Sequence, residues 1–152
     1  MTVIFSAREI AEAAVEKEKK RKGFYATVCE LSPDEDMKAL FQFLTAEEEK
    51  HVATFARIRD SLPEEARPEE YSEDMQAYMD SVIDDQLYSD MDSKDFVQKA
   101  IDTRNVFRLA IGFEKDAILY FREFLPYLSP SDRPVVEELI DQEKGHIRMM
   151  RD

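Results

Sequence analysis

Two Glu-x-x-His motifs constrain the fold of this chain more than any other sequence feature. They are Glu48-x-x-His51 and Glu143-x-x-His146, and together they contain both of the 2 histidines of the chain. Each motif lies in a stretch whose apolar residues recur with the spacing of an amphipathic helix. Positions i and i+3 of a helix share one face. Each motif therefore directs a carboxylate and an imidazole toward the same, otherwise apolar, side of its helix.

Helix start and stop signals predict two helical hairpins. Ser6 and Glu9 have the spacing of a capping box, so a first helix should begin at Ser6 and extend to about residue 30. Ser32 repeats this signal with Pro33 at the first helical position, and the second helix should end before Pro63. A third long helix should end near residue 127, and a fourth should begin near residue 132.

Residues 61–95 should connect the two hairpins. This stretch is acidic and contains Pro63 and Pro68, while residues 72–88 have a helical pattern, which predicts a long crossover with a short extra helix. A further short helix should follow Ser93 and break near Asp102. The predicted fold is an all-α four-helix bundle, with residues 1–152 forming a single domain.

The charge and cysteine content exclude several kinds of site. The chain has 34 acidic and 21 basic residues and a formal charge of −13, which argues against nucleic acid and suits cations. Cys29 is the only cysteine, so a cluster of thiolate ligands is excluded. No signal peptide pattern and no apolar run of membrane-spanning length are present, so we expect no membrane association and a soluble protein of the reducing cytoplasm.

Two lone glutamates, Glu18 and Glu114, complete a candidate metal-ligand set. Each interrupts the apolar stripe of a predicted long helix, although Arg21 also lies on the stripe around Glu18. Four buried carboxylates repel one another unless cations balance them, and two divalent ions supply that balance. The predicted centre binds two metal ions, of which iron or manganese suit the donors, through Glu18, Glu48, His51, Glu114, Glu143 and His146. Glu16 is the rival ligand on the first helix.

Two further residues lie on the ligand face of the first helix. Tyr25 follows Glu18 by two turns, and we expect its hydroxyl to form a hydrogen bond that orients a ligand and tunes the metal. Arg21 follows Glu18 by one turn. We expect its side chain either to extend outward or to pair with a ligand carboxylate.

This pattern resembles the ferritin-like diiron domain of the rubrerythrin group over nearly the whole chain. The residues that carry the resemblance, besides the two motifs, are Glu18 with Phe24-Tyr25 and Glu114 with Tyr120-Phe121. The resemblance implies a ferritin-like bundle, six ligands to two iron ions and a homodimer that reacts with O2 or peroxide. Manganese and zinc are the expected substitutes for iron.

The chain departs from rubrerythrin at two points. Ala117 stands where rubrerythrin has an additional glutamate that moves on and off the metal, and the single cysteine of these 152 residues cannot form rubrerythrin's cysteine-rich rubredoxin domain. We therefore expect electrons to come from a separate donor. The sequence favours a diiron oxidoreductase that activates O2 or reduces peroxide. The alternatives are an iron-binding or sequestration protein that oxidises ferrous iron without a dedicated substrate, and a structural bundle without metal.

Overall fold

The computed structural model of the protein describes residues 7–62 and 90–151. Within these two stretches lie five α-helices, α1 (Ala7–Leu31), α2 (Glu35–Ser61), α3 (Lys94–Asp102), α4 (Val106–Phe124) and α5 (Arg133–Arg151), and a short 3-10 helix, Leu125–Tyr127, continues α4. Neither stretch contains a β-strand, so the predicted all-α fold is confirmed. The predicted Ser6 cap and the crossover helix at residues 72–88 lie outside the described residues. The single-domain organisation stays a prediction.

The turn between α1 and α2 differs from the prediction. Helix α2 begins at Glu35, and its N-cap is Asp34, whose carboxylate accepts hydrogen bonds from the amides of Asp36 at 2.8 Å and Met37 at 3.3 Å. The prediction that Ser32 caps this helix with Pro33 as its first residue was therefore wrong. One carboxylate that reaches two free amides defines the helix start better than the earlier serine does.

Helix α3 begins and ends where the sequence indicated. The Ser93 hydroxyl caps it by accepting a hydrogen bond from the amide of Phe96 at 3.1 Å. The helix ends at Asp102, and Arg104 follows in the left-handed region with φ of 58°. This turn redirects the chain into α4. Among the described residues, no helix is long and apolar enough to cross a membrane.

The core consists of two apolar clusters separated by a layer of buried charged residues. The first cluster is centred on Phe55, Phe121 and Phe124, and the second is centred on Phe24, Phe41 and Phe113. On α1, for example, Ala14 lies in the first cluster and Phe24 in the second, with Glu18 and Arg21 between them. The charged layer therefore crosses the middle of the bundle.

Gly23 is the point where α1 approaches the segment that leads into α3. A methyl group on Gly23 would lie 2.8 Å from Cβ of Asp92, which is closer than side-chain carbons pack. Thr27 fastens the same contact, because its hydroxyl lies 2.8 Å from the carbonyl oxygen of Gly23 and 3.1 Å from that of Asp92.

The surroundings of Gly23 and Gly112 predict opposite effects for their substitution by alanine. Gly112→Ala should stabilise the protein by about 1 kcal/mol, because alanine favours the helix and nothing beyond the backbone of its own helix turn lies within 4 Å of the added carbon. Gly23→Ala should destabilise it by about 1–3 kcal/mol, because the overpacking against Asp92 outweighs the same helical gain. Urea unfolding followed by circular dichroism measures both changes. A stabilised Gly23→Ala variant would contradict the observed approach.

Candidate metal centre

The charged layer contains all six ligands predicted from the sequence, together with Arg21. All are at most 3% exposed. Helix α1 supplies Glu18 and Arg21, α2 supplies Glu48 and His51, α4 supplies Glu114, and α5 supplies Glu143 and His146. Each helix directs them inward because they occupy positions on its apolar stripe. Burying so many charged side chains in an apolar core costs free energy of folding unless they are paired or bind a cation.

The six predicted ligands form two overlapping groups of four residues, each of which could hold one metal ion. Within each group, one ligand atom from every residue lies within 4.8 Å of the others. The first position, as we call it, is formed by Glu18, Glu48, His51 and Glu143, and the second position is formed by Glu48, Glu114, Glu143 and His146. Glu48 and Glu143 belong to both positions, and each position has its own histidine and its own lone glutamate.

The two shared carboxylates divide their oxygens between the two histidines. Nδ1 of His51 lies 3.5 Å from Oε2 of Glu48 and 2.6 Å from Oε1 of Glu143. Nδ1 of His146 lies 3.5 Å from Oε1 of Glu48 and 3.7 Å from Oε2 of Glu143. Each carboxylate thus turns one oxygen toward each position, which is the arrangement of a carboxylate that bridges two cations.

A glutamine that the sequence analysis missed orients His51. Nε2 of His51 lies 2.8 Å from Oε1 of Gln142, an acceptor, so this ring nitrogen carries a proton and donates it. The other nitrogen, Nδ1, therefore faces the carboxylates. Such a bond commonly fixes the ring of a metal-binding histidine. No local pattern marks Gln142, because its partner lies on α2 and only the tertiary fold brings the two together.

Tyr25 forms a hydrogen bond with a candidate ligand, as expected, but with one on another helix. Its hydroxyl donates to Oε1 of Glu114 at 2.5 Å. Burial raises the pKa of Tyr25 well above its usual value, and the negative charge of Glu48 acts in the same direction. Tyr25 therefore keeps its proton at neutral pH. Its catalytic role stays a prediction.

Arg21 does not extend outward but lies within the carboxylate layer. Its Nη2 donates a short hydrogen bond to Oε1 of Glu18 and lies 3.1 Å from Oε2 of Glu48 and 3.4 Å from Oε1 of Glu143. Its Nε lies 3.8 Å from Oε1 of Glu114. One guanidinium thus contacts all four carboxylates. The pairing with ligand carboxylates is the second of the two arrangements that the sequence left open.

The buried charges shift one another's pKa values in opposite directions. Burial raises the pKa of Glu18 well above its usual value, and the charges of Glu48 and Glu143 add to this effect against that of Arg21. Burial acts in the same way on Glu48, but the charge of Arg21 and hydrogen bonds from its neighbours hold the pKa of Glu48 well below its usual value. Glu18 therefore binds a proton more readily than Glu48 does.

Both imidazoles are charged at neutral pH in the metal-free protein. Burial would lower the pKa of His51 and His146, but the nearby carboxylates of Glu143 and Glu48 outweigh it and raise both pKa values to about 9. With Arg21, these rings are the cations that hold the carboxylate layer together.

The layer also contains unsatisfied polar atoms that suit a metal. Every one of the six predicted ligands has a buried oxygen or nitrogen without a hydrogen-bond partner, as does Nε of Arg21. Buried polar groups are nearly always satisfied in folded proteins. A pair of cations would bind these atoms, so the residues present fit a carboxylate-bridged di-metal centre.

Glu16, the rival ligand, and Ala117, where the chain departs from rubrerythrin, both lie outside the charged layer. Glu16 is exposed and lies 3.6 Å from Lys19 in an ion pair on the surface of α1, away from the charged layer. Ala117 is 5% exposed and packs in the first apolar cluster. The turn of α4 that follows Glu114 therefore adds no further carboxylate to the layer.

The raised histidine pKa values predict that the metal-free protein loses stability in mild alkali. Each imidazole binds its proton more tightly in the folded state, with a pKa of about 9, than at its usual value of 6.5. Its stabilising effect is complete below pH 6.5 and disappears as the pH rises through 9. The loss is at most about 3 kcal/mol for each ring. Urea unfolding of chelator-treated protein from pH 6 to 10 measures it, and a His51→Gln/His146→Gln variant should lack this slope.

Comparison with known proteins agrees with the fold. No protein-family model matches the sequence, and no curated protein matches it either. One solved structure that matches, at 2.30 Å resolution, is that of a proposed ferritin-like diiron-carboxylate protein from Thermotoga maritima. The match has a TM-score of 0.68 and 25% sequence identity, and it covers 97% of this chain and 93% of the other. The chain therefore has the ferritin-like fold, and its resemblance to ferritin-like diiron-carboxylate proteins is confirmed, while the narrower likeness to rubrerythrin stays a prediction.

Proposed function

We propose that this chain is a diiron-carboxylate protein that activates O2 or reduces peroxide with electrons from a separate donor. The observation that supports it most strongly is the division of the Glu48 and Glu143 oxygens between His51 and His146. A site for one ion has no need of two carboxylates turned in this way. The similarity to the Thermotoga maritima protein, a proposed diiron-carboxylate protein, supports iron as the metal.

Iron suits the donor set of the site. Carboxylates with one imidazole at each position match iron or manganese, and zinc can bind the same donors without redox chemistry. Bound iron would supply electron transfer and a binding place for O2 or peroxide. The homodimer, the cytoplasmic location and the external electron donor belong to this proposal, and light scattering of the purified protein tests the first of them.

The chain's own residues would control protons and water around the centre. Apolar clusters lie on both sides of the charged layer, which limits the entry of water. The hydroxyl oxygen of Tyr25 lies 2.5 Å from Oε1 of Glu114, so a hydrogen-bond donor is in place beside the second position. Glu48 and Glu143, which belong to both positions, would help to hold both ions.

Ferrous iron oxidation and sequestration without a dedicated substrate is the second candidate function. The buried, apolar Ala117 favours it, because the mobile glutamate of rubrerythrin has no counterpart at that position. Both candidates require the same metal centre. They differ in whether peroxide is turned over.

Iron loading tests the metal centre that both functions share. Anaerobic loading of the chelator-treated protein should give about two iron ions per chain, measured by elemental analysis after desalting. The His51→Ala/His146→Ala variant should lose tight iron binding, because each position loses its only imidazole. Glu18→Gln should reduce the iron content toward one, whereas Glu16→Gln, on the exposed face of the same helix, should retain two. A double histidine variant that loads normally would show that the ligand assignment is wrong.

Peroxide separates the two functions once the iron is bound. The proposed oxidoreductase should oxidise its ferrous iron rapidly and repeat the reaction when a chemical electron donor is supplied. A single, slow, stoichiometric oxidation would instead favour sequestration.

Two tyrosine substitutions test the hydrogen bond to Glu114. Tyr25→Phe should retain both iron ions but slow their oxidation by about 10- to 100-fold, because such supporting bonds orient the ligand and tune the metal. Tyr120→Phe is the matched control, since the hydroxyl of Tyr120 donates to the carbonyl oxygen of Ile10 at 2.6 Å within the first apolar cluster. It should lower stability without changing the oxidation rate. Stopped-flow absorbance compares the rates, and equal rates for Tyr25→Phe and the wild type would exclude a role for Tyr25.

A further inference from the structure

We propose that Arg21 is an internal cation that competes with a metal ion for the first position, so that the two positions fill unequally. The second position would bind a divalent cation tightly, and the first would bind one only when Arg21 withdraws. This inference rests on the proposed metal-binding function and adds an order of filling to it.

The contacts of Arg21 coincide with the first position. Its Nη2 contacts Oε1 of Glu18, Oε2 of Glu48 and Oε1 of Glu143. The last two oxygens are the ones that face Nδ1 of His51. The guanidinium nitrogen thus shares the ligand oxygens of the first position, and a metal ion bound there would have to replace it.

Arg21 donates no hydrogen bond to the oxygens that face His146 at the second position. The atoms without a hydrogen bond include one from each of its four residues, namely Oε1 of Glu48, Oε2 of Glu114, Oε2 of Glu143 and Nδ1 of His146. Oε1 of Glu48 and Oε2 of Glu143 are also the oxygens that face His146. The other oxygen of Glu114, Oε1, lies 3.4 Å from Nδ1 of His146 and accepts the hydrogen bond of Tyr25. Nε of Arg21 lies 3.8 Å from this oxygen, which is a longer contact than any that Nη2 makes at the first position. None of these four atoms accepts a hydrogen bond from Arg21, so a cation that replaces the imidazole proton of His146 could bind them while Arg21 stays where it is.

Charge balance also indicates that Arg21 and a metal ion at the first position exclude one another. Metal ligands bind in their deprotonated form, so the four carboxylates carry four negative charges. Two divalent ions balance them, whereas two divalent ions with Arg21 leave a surplus of positive charge in a buried layer. Arg21 is 1% exposed, so its side chain must move before an ion can bind at the first position. The binding free energy of that ion must supply the cost of this movement. We expect the two dissociation constants to differ by roughly 10- to 100-fold.

Cobalt titration of the full chain tests this order of filling. Co²⁺ is added to chelator-treated protein and followed by calorimetry and visible absorption. The wild type should bind one Co²⁺ tightly and a second more weakly. Glu114→Gln should lose the tight binding, because it removes a ligand of the second position only. Glu18→Gln should retain it, because Glu18 belongs to the first position only.

Arg21→Gln should strengthen the binding of the second Co²⁺ until it approaches the first. Arg108→Gln, an exposed arginine on α4, is the matched control and should leave both constants unchanged. Circular dichroism establishes that each variant is folded, and the wild type and the two glutamate variants test the proposal even if Arg21→Gln does not fold.

Three outcomes would overturn the proposal: equal affinity for two Co²⁺ in the wild type, loss of the tight ion in Glu18→Gln alone, or an unchanged second constant in folded Arg21→Gln. Equal affinities would leave the proposed diiron function intact. Absence of any Co²⁺ binding would overturn this inference and, together with absence of iron loading, the proposed function as well.

Discussion

The repulsion among four buried carboxylates is the constraint on which the rest of this structure depends. Glu18, Glu48, Glu114 and Glu143 are each 0% exposed, in the middle of a bundle that is otherwise apolar on both sides. Carboxylates in such surroundings must be neutralised, paired or bound to metal. The metal-free chain meets this requirement with its own cations, namely Arg21 and two protonated imidazoles. The bundle therefore keeps its ligands together without metal, at the cost of a layer that adds little to stability.

The four long helices extend far enough on both sides of this layer to pack apolar residues above and below it. Each of the four long helices has apolar residues on both sides of its ligand, so the two clusters fix the height of the layer in the bundle. On α1 the contact of Gly23 with Asp92 adds a second restraint near Arg21. Packing that holds helix position to within an ångström or so also holds the ligand geometry, which a metal centre needs. Core and site are thus specified by the same residues.

Much of the fold and the ligand set follows from sequence periodicity, because it depends on which residues share a helix face. Glu18 and Glu114 could be predicted in this way, since charged residues on an apolar stripe need a reason to be there. The contacts between helices could not be predicted. Gln142 reaches His51 across the bundle, and Tyr25 reaches Glu114 rather than Glu18 on its own helix. The start of α2 was missed for a local reason, because two capping residues, Ser32 and Asp34, compete within three positions.

Arg21 shows why a ligand set does not by itself define a reaction centre. From the sequence, it was one exception on an apolar stripe. In the fold, its guanidinium contacts the same oxygens that a metal ion at the first position would use, while the Glu48 and Glu143 oxygens that face the second position have no hydrogen bonds. A buried cation of this kind stabilises the metal-free protein and weakens metal binding for the same physical reason, because both effects come from its attraction to the carboxylates. The number of metal ions that the centre holds therefore depends on how easily one arginine side chain can leave it.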